Sequence, residues 1–227
     1  PNEWGKGLEN QEAFERNVIG HKLAREKFDP DVIKIMNDTL MIIPVDVSFV
    51  KTASDLRNVH APSVDSAFAK KTLELTKRVR AFYEDSDAPV YATGFSPSQV
   101  LRNSLCIGGV PGEGDETRML KFVEEDPDAV AAAMKNLCEG ICAINEMLIK
   151  EGGVDGIYMS VSNQSNFFTD EFYRTYVAPY EKEVMKNANK LSSINLLHIC
   201  GYHGRSNHLN LFTDFEAAAV NIAVYAE

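Results

Sequence analysis

The sequence lacks both a long apolar run and an excess of basic residues. No stretch approaches the roughly 18 consecutive apolar residues of a membrane-spanning helix. The first 17 residues, PNEWGKGLENQEAFERN, contain no apolar core of a signal peptide. The formal net charge is −10, which argues against a basic face for nucleic acid or for an anionic membrane surface. We therefore expect a cytoplasmic protein without nucleic-acid or membrane partners.

Cysteine is also scarce, with four residues in a chain of 227. Such a chain is not a small disulfide scaffold, so we expect reduced thiols. Cys138 and Cys142 lie four residues apart on a helical pattern without a histidine, which predicts a structural role. Apolar residues make up 44% and charged residues 25%, as in ordinary globular proteins. No linker-like segment divides the chain, so residues 1–227 are interpreted as a single domain.

Short apolar segments alternate with long amphipathic ones along the whole chain. The pattern predicts helices over residues 8–28, 64–84, 126–150 and 169–190, and strands over 31–36, 88–95, 154–162, 194–200 and 217–227. Repeated β-then-α units indicate parallel strands with helical crossovers. An open doubly wound sheet and a (β/α)8 barrel both fit this rhythm. In either fold, the site lies at the carboxyl ends of the strands.

The most informative short segment is His198-Ile-Cys200, at the end of a predicted strand. Strand alternation puts both side chains on the same face, and imidazole nitrogen and thiolate sulfur are both zinc donors. A catalytic zinc needs a third protein ligand, for which the candidates within the chain are His203, His208 and Cys106. The alternative is that Cys200 is a small core residue and His198 a hydrogen-bonded interior one.

Five segments carry a resemblance to a known family: FDPDVIKIMNDTLM, MLKFVEEDPDAV, LIKEGGVDGIYMSVSN, LLHICGYHG and AAAVNIAVYAE. From about residue 25 onward, they resemble the uroporphyrinogen decarboxylase family in the family's own order. This superfamily of (β/α)8 TIM barrels also includes corrinoid-dependent methyltransferases. The resemblance implies a barrel of this type, truncated at both ends, with about five to six strands. A truncated barrel has open edges, and pairing with a second copy as a homodimer is one way to cover them.

One branch of the family, the methyltransferases, has His-x-Cys-Gly at the corresponding strand. The resemblance implies that His198 and Cys200 bind zinc, with a third ligand outside this chain. It also implies a small thiol as substrate and a corrinoid, carried by a corrinoid protein, as methyl donor. Tyr202, Ser162 and Asn163 are expected to bind substrate at the same mouth.

The other branch decarboxylates a tetrapyrrole without a cofactor. There an aspartate at a strand end binds the pyrrole N–H groups, and the resemblance places Asp38 at that position as the catalytic residue. Asn103 or a neighbour stands where that branch has a substrate-binding tyrosine, and its arginine-rich N-terminal motif has no counterpart. We predict zinc-thiolate methyl transfer because His-x-Cys-Gly matches. Uroporphyrinogen decarboxylation and non-catalytic tetrapyrrole or corrinoid binding are the alternatives.

Overall fold

Five parallel strands form the centre of the computed structural model, which describes residues 6–37, 40, 43–105, 117–201 and 204–223. The sheet has the order β1-β2-β3-β4-β5 and curls into a half-barrel. The strands are β1 (Ile33–Ile35), β2 (Val90–Phe95), β3 (Gly156–Val161), β4 (Leu196–Ile199) and β5 (Ala219–Ile222). Each pairs in parallel with the next strand along the chain. This arrangement confirms the predicted barrel-type fold and excludes the open doubly wound order.

Helices connect the strands. They are α1 (Gln11–Phe28), α2 (Ala67–Ala81), α3 (Pro97–Leu105), α4 (Thr117–Glu125), α5 (Pro127–Lys150), α6 (Asp170–Phe172) and α7 (Ala178–Asn189), with a π-helical turn (Tyr173–Val177) between the last two and 3₁₀ turns at Ala53–Asn58, Gln164–Asn166 and Leu209–Leu211. None of these described helices has the length and apolar character needed to span a membrane. Four of the helical regions were predicted from periodicity, whereas α3 and α4 were not.

Residues at its two ends explain where the helix α5 begins and ends. The side chain of Asp126 accepts a hydrogen bond from the backbone N–H of Ala129 at 2.9 Å, and Pro127 occupies the first helical position. Just beyond the end of the helix, Gly153 has a φ of 72°, which a glycine adopts without steric strain. The apolar stripe of α5 is buried, including Val130 and Ile141. The helix therefore covers the outer face of the sheet.

Pro179 lies inside the helical pattern of residues 169–190, where a proline is expected to break or kink the helix. The structure has a π-helical turn at Tyr173–Val177, directly before α7, in which Pro179 lies in the first turn. Proline has no N–H to donate and its ring clashes with the preceding helical turn. A π-helical turn relieves both constraints by inserting an extra residue into the helix.

A buried carboxylate joins this segment to α3. Glu181 is 0% exposed, and it accepts hydrogen bonds from the hydroxyl of Ser98, at 2.5 Å, and from that of Tyr173. Burial raises the pKa of Glu181, although the hydrogen bonds from the surrounding hydroxyls oppose the shift. This network fixes the start of α3, the helix that follows β2 at the carboxyl edge of the sheet.

The two faces of the sheet differ in character. The outer face is apolar and packs against the helices; Ile35, Ile157 and Leu197 on this face are buried. The inner face is mainly polar, and its side chains alternate with the apolar ones. Lys34, Tyr158, His198 and Asn221 belong to this inner face, since their side chains interact with one another. The candidate site is built on it.

Candidate functional site

A row of side chains crosses the inner face at the level of His198. The strand register pairs Phe95 with Ser160, Ser160 with His198, and His198 with Asn221. Three of these four residues are polar. Because inward-pointing residues fill a barrel interior, polar groups at this level indicate a site rather than an apolar core.

The imidazole of His198 is held by two hydrogen-bonding partners. Its Nδ1 lies 2.6 Å from Oδ1 of Asn221 and 3.1 Å from the hydroxyl of Tyr158. The Tyr158 hydroxyl donates to the same Asn221 oxygen at 2.6 Å. An amide oxygen can only accept hydrogen bonds, so the hydrogen between Asn221 and His198 belongs to Nδ1. In neutral His198, the lone pair is therefore on Nε2.

The surroundings favour this neutral form. Burial lowers the pKa of His198; the hydrogen bond to Asn221 opposes that shift, and the charge of Lys34 adds to it. Burial, and then the neighbouring Cys200, raise the pKa of Tyr158. The Lys34 Nζ lies 4.7 Å from the centre of the Tyr158 ring, within reach of a cation–π interaction. At neutral pH the site thus holds an uncharged imidazole beside a protonated phenol.

Cys200 directly follows β4 on the same face as His198. Its backbone is fixed on both sides: the N–H donates to the carbonyl of Val161 at 2.9 Å, and the carbonyl accepts from Asn207 at 2.8 Å and from Gln164 at 3.3 Å. Cys200 also contributes to the raised pKa of the Tyr158 phenol, consistent with a thiol on the inner face. Cys200 and His198 therefore share one end of the inner face.

The donor set fits a zinc ion in part. One imidazole nitrogen and one thiol are zinc ligands, and a metal-binding histidine commonly donates its other N–H to an oxygen acceptor, as His198 does to Asn221. Within the described ranges, no group of three His, Cys, Asp or Glu side chains could hold a metal ion. Of the candidate third ligands, His208 contacts Asp170 at 2.8 Å, while Cys106 and His203 lie outside the described residues.

Comparison with known proteins assigns the family. A family model described as Uroporphyrinogen decarboxylase (URO-D) matches residues 35–223. The chain belongs to the uroporphyrinogen decarboxylase family. A search among curated proteins found no match. The URO-D match includes His198, Cys200 and Asn221 and confirms the resemblance seen in the sequence; membership of this family also favours an enzyme.

Asn163, predicted to bind substrate in this URO-D chain, holds a loop together in the structure. It is 1% exposed. Its side-chain N–H donates to the carbonyl of Phe168 at 2.8 Å, and its side-chain oxygen accepts from the N–H of the same residue at 2.9 Å. Both polar ends of the amide therefore contact the backbone of the loop after β3.

The other predicted residues are spread around the carboxyl edge of the sheet. Ser162 follows β3 and accepts a hydrogen bond from Gln99 at 3.2 Å. Asn103 is half-buried on α3, one turn beyond Gln99. Asp38 and Tyr202 lie outside the described residues. The structure thus brings Ser162 close to the row that contains His198, and the role of each of these residues stays a prediction.

Sequence reasoning missed three polar residues of the site. Tyr158 and Asn221 are the partners of His198, and Gln99 bridges Ser160 and Ser162. Tyr158 shares the alternation of the Ser160-Val-Ser162 strand end, which was a usable signal. Asn221 lies in an alanine-rich segment with no alternation to mark a face. Only the pairing of β4 with β5 reveals it.

Proposed function

We propose that the inner face serves a zinc-dependent methyl transfer to a small thiol, with His198 and Cys200 as two of the metal ligands. One observation carries the proposal. His198 is neutral with its Nδ1–H directed at Asn221, so the Nε2 lone pair is available on the face that also holds Cys200. The URO-D match supports it, because the corrinoid-dependent methyltransferases that the sequence resembles belong to this family.

Each of the four site residues has its own role in the proposed reaction. Asn221 and Tyr158 hold the imidazole in one tautomer and orientation. His198 and Cys200 supply one nitrogen and one sulfur donor, and the remaining protein ligand comes from outside the described residues. When bound, zinc lowers the pKa of a substrate thiol so that it reacts as a thiolate. A bound corrinoid donor would supply the methyl group to that thiolate.

Metal analysis of purified variants tests the proposal, with each variant made in the longest form of the protein that expresses so that the third ligand is present. We expect about one zinc per chain in the wild type, since a catalytic site holds a single tetrahedral ion. His198→Ala and Cys200→Ser should each lose it, because two protein ligands cannot retain the ion. His208→Ala is the matched control, since His208 is paired with Asp170 and forms no described metal-binding group with His198 and Cys200. Zinc-free wild-type protein, or equal zinc in all four proteins, would exclude the proposal.

Decarboxylation of a tetrapyrrole is the second candidate, supported by the description of the matched family. The two functions depend on different residues. Decarboxylation requires Asp38, whose carboxylate would accept the pyrrole N–H bonds, and it requires no metal. An assay of carbon dioxide release from uroporphyrinogen separates them. Activity that Asp38→Asn abolishes and His198→Ala preserves would establish decarboxylation instead.

A further inference from the structure

A second polar cluster lies beside the row that contains His198. The Nε2 of Gln99 lies 3.2 Å from Oγ of Ser160 and 3.2 Å from Oγ of Ser162. Ser160 pairs directly with His198 across the β3–β4 ladder. Gln99 belongs to the first turn of α3, whose start is fixed by the Ser98–Glu181 hydrogen bond. The position of α3 therefore places the Gln99 amide at the carboxyl end of β3.

The cluster has unused hydrogen-bonding capacity. Oε1 of Gln99 is buried and has no hydrogen-bond partner among the described residues, which is unusual for a buried amide oxygen. The two serine oxygens accept from Nε2, so each hydroxyl keeps its own proton for donation. In the described part of the chain, neither proton has an acceptor. One acceptor and two donors thus lie side by side.

We propose that Gln99, Ser160 and Ser162 form a binding subsite for an uncharged carboxamide group of the ligand that occupies the inner face. The carboxamide oxygen accepts from the serine hydroxyls, and its N–H donates to Oε1 of Gln99. The subsite involves no metal, so it can be tested independently of the proposed zinc chemistry.

Other ligand groups fit less well. A carboxylate has no N–H for Oε1 of Gln99, whose lone pairs would instead repel it. An ammonium group has no acceptor for the serine hydroxyls. The three side chains of the cluster are uncharged, and no charge on them compensates a buried ionic ligand. A neutral group with both a donor and an acceptor is the complementary partner.

Selective labelling makes the subsite observable in the wild-type protein. The chain contains three glutamines, Gln11, Gln99 and Gln164, so protein labelled with nitrogen-15 only in glutamine side chains gives three pairs of amide signals. Gln99→Leu assigns one pair. We expect titration with acetamide to shift the Gln99 signals to saturation, with a Kd on the order of 1–100 mM for so small a ligand. The exposed Gln11 serves as the internal control.

Two comparisons decide the chemistry. Acetate at the same concentration and ionic strength should produce no saturating shift of Gln99. Ser162→Ala should weaken acetamide binding roughly tenfold, whereas Ser104→Ala should not, because its hydroxyl bonds to the carbonyl of Val100 within α3. A Gln99 signal that acetamide does not saturate, that acetate shifts equally, or that is insensitive to Ser162→Ala would overturn the proposal.

Discussion

Replacing Asn221 by leucine should move the imidazole proton of His198 from Nδ1 to Nε2. Leucine is close to asparagine in size but has no oxygen to accept the Nδ1–H. The Tyr158 hydroxyl, 3.1 Å from Nδ1, loses the same acceptor and becomes free to donate to Nδ1. A nitrogen that accepts this bond carries no hydrogen, so the proton of neutral His198 must lie on Nε2. The lone pair available to a metal is then lost.

The size of the effect follows from the two hydrogen bonds that Asn221 accepts, both 2.6 Å long. Removing a partner that orients a metal ligand typically costs 10–100-fold in affinity, or about 1.4–2.7 kcal/mol. We expect zinc affinity to decrease by this factor or by more, because the tautomer changes as well. The hydrogen bond to Asn221 raises the pKa of His198, so in the variant this pKa should decrease further.

Histidine labelled with carbon-13 and nitrogen-15 reports the tautomer directly in NMR spectra, and chelator competition reports the zinc affinity. His198→Ala assigns the signals. Tyr158→Phe is the matched control, since it leaves the Asn221–Nδ1 contact in place and should preserve the Nδ1–H tautomer. The reasoning is refuted if His198 keeps its proton on Nδ1 in Asn221→Leu, or if the pKa of His198 rises.

Substitutions at three further positions, Glu181, Gly20 and Gly140, test the fold. Burial raises the pKa of Glu181 above its ordinary value of 4.5. The stability that Glu181 contributes is therefore fully present below pH 4.5 and is lost as the pH rises through the pKa of the folded state. Glu181→Gln should flatten this part of the curve of stability against pH. Glu181→Ala should cost about 2–5 kcal/mol, since the hydroxyl of Tyr173 loses its acceptor and a cavity forms. Urea unfolding across pH measures both, and an unchanged slope in Glu181→Gln would contradict the assignment. Gly20→Ala should stabilise α1 by about 0.5–1 kcal/mol, because nothing lies within 4 Å of the added Cβ, whereas Gly140→Ala should destabilise α5, because its Cβ would lie 2.5 Å from that of Ala61. Thermal unfolding should therefore give opposite signs for the two, and equal signs would show that the packing around Gly140 yields.

Much of the fold was readable from local signals. Alternation and short apolar runs located all five strands of the sheet, and the helical pattern over 126–150 predicted the start of α5 to within one residue. The helix α3 was missed because Ser96-Pro97, directly after the predicted strand 88–95, is typical of a turn. The same pair is also typical of a helix start, with serine as cap and proline at the first helical position. Local sequence does not separate these readings, since the choice depends on packing against Glu181.

Sequence predicted only those residues of the site that lie close together along the chain. His198 and Cys200 lie two residues apart, so strand alternation alone puts them on one face. Their surroundings come from distant parts of the chain: Asn221 is 23 residues from His198 and Tyr158 is 40. Such contacts depend on the register of β3, β4 and β5, which a single sequence does not determine. The orphaned amide oxygen of Gln99 is likewise a property of packing and has no sequence signal.

The order of the strands has a consequence for how the protein is made. Every strand of the described sheet pairs only with its neighbours along the chain, so the sheet can grow in the direction of synthesis as each β/α unit leaves the ribosome. The longest interval falls between β2 and β3, because α3, α4 and α5 emerge between them. During this interval the nascent chain presents an unpaired strand edge, the feature that most invites aggregation. The helix α5 contacts both strands and is synthesised before β3. Pairing of β3 with β2 can therefore cover the exposed edge as soon as β3 appears.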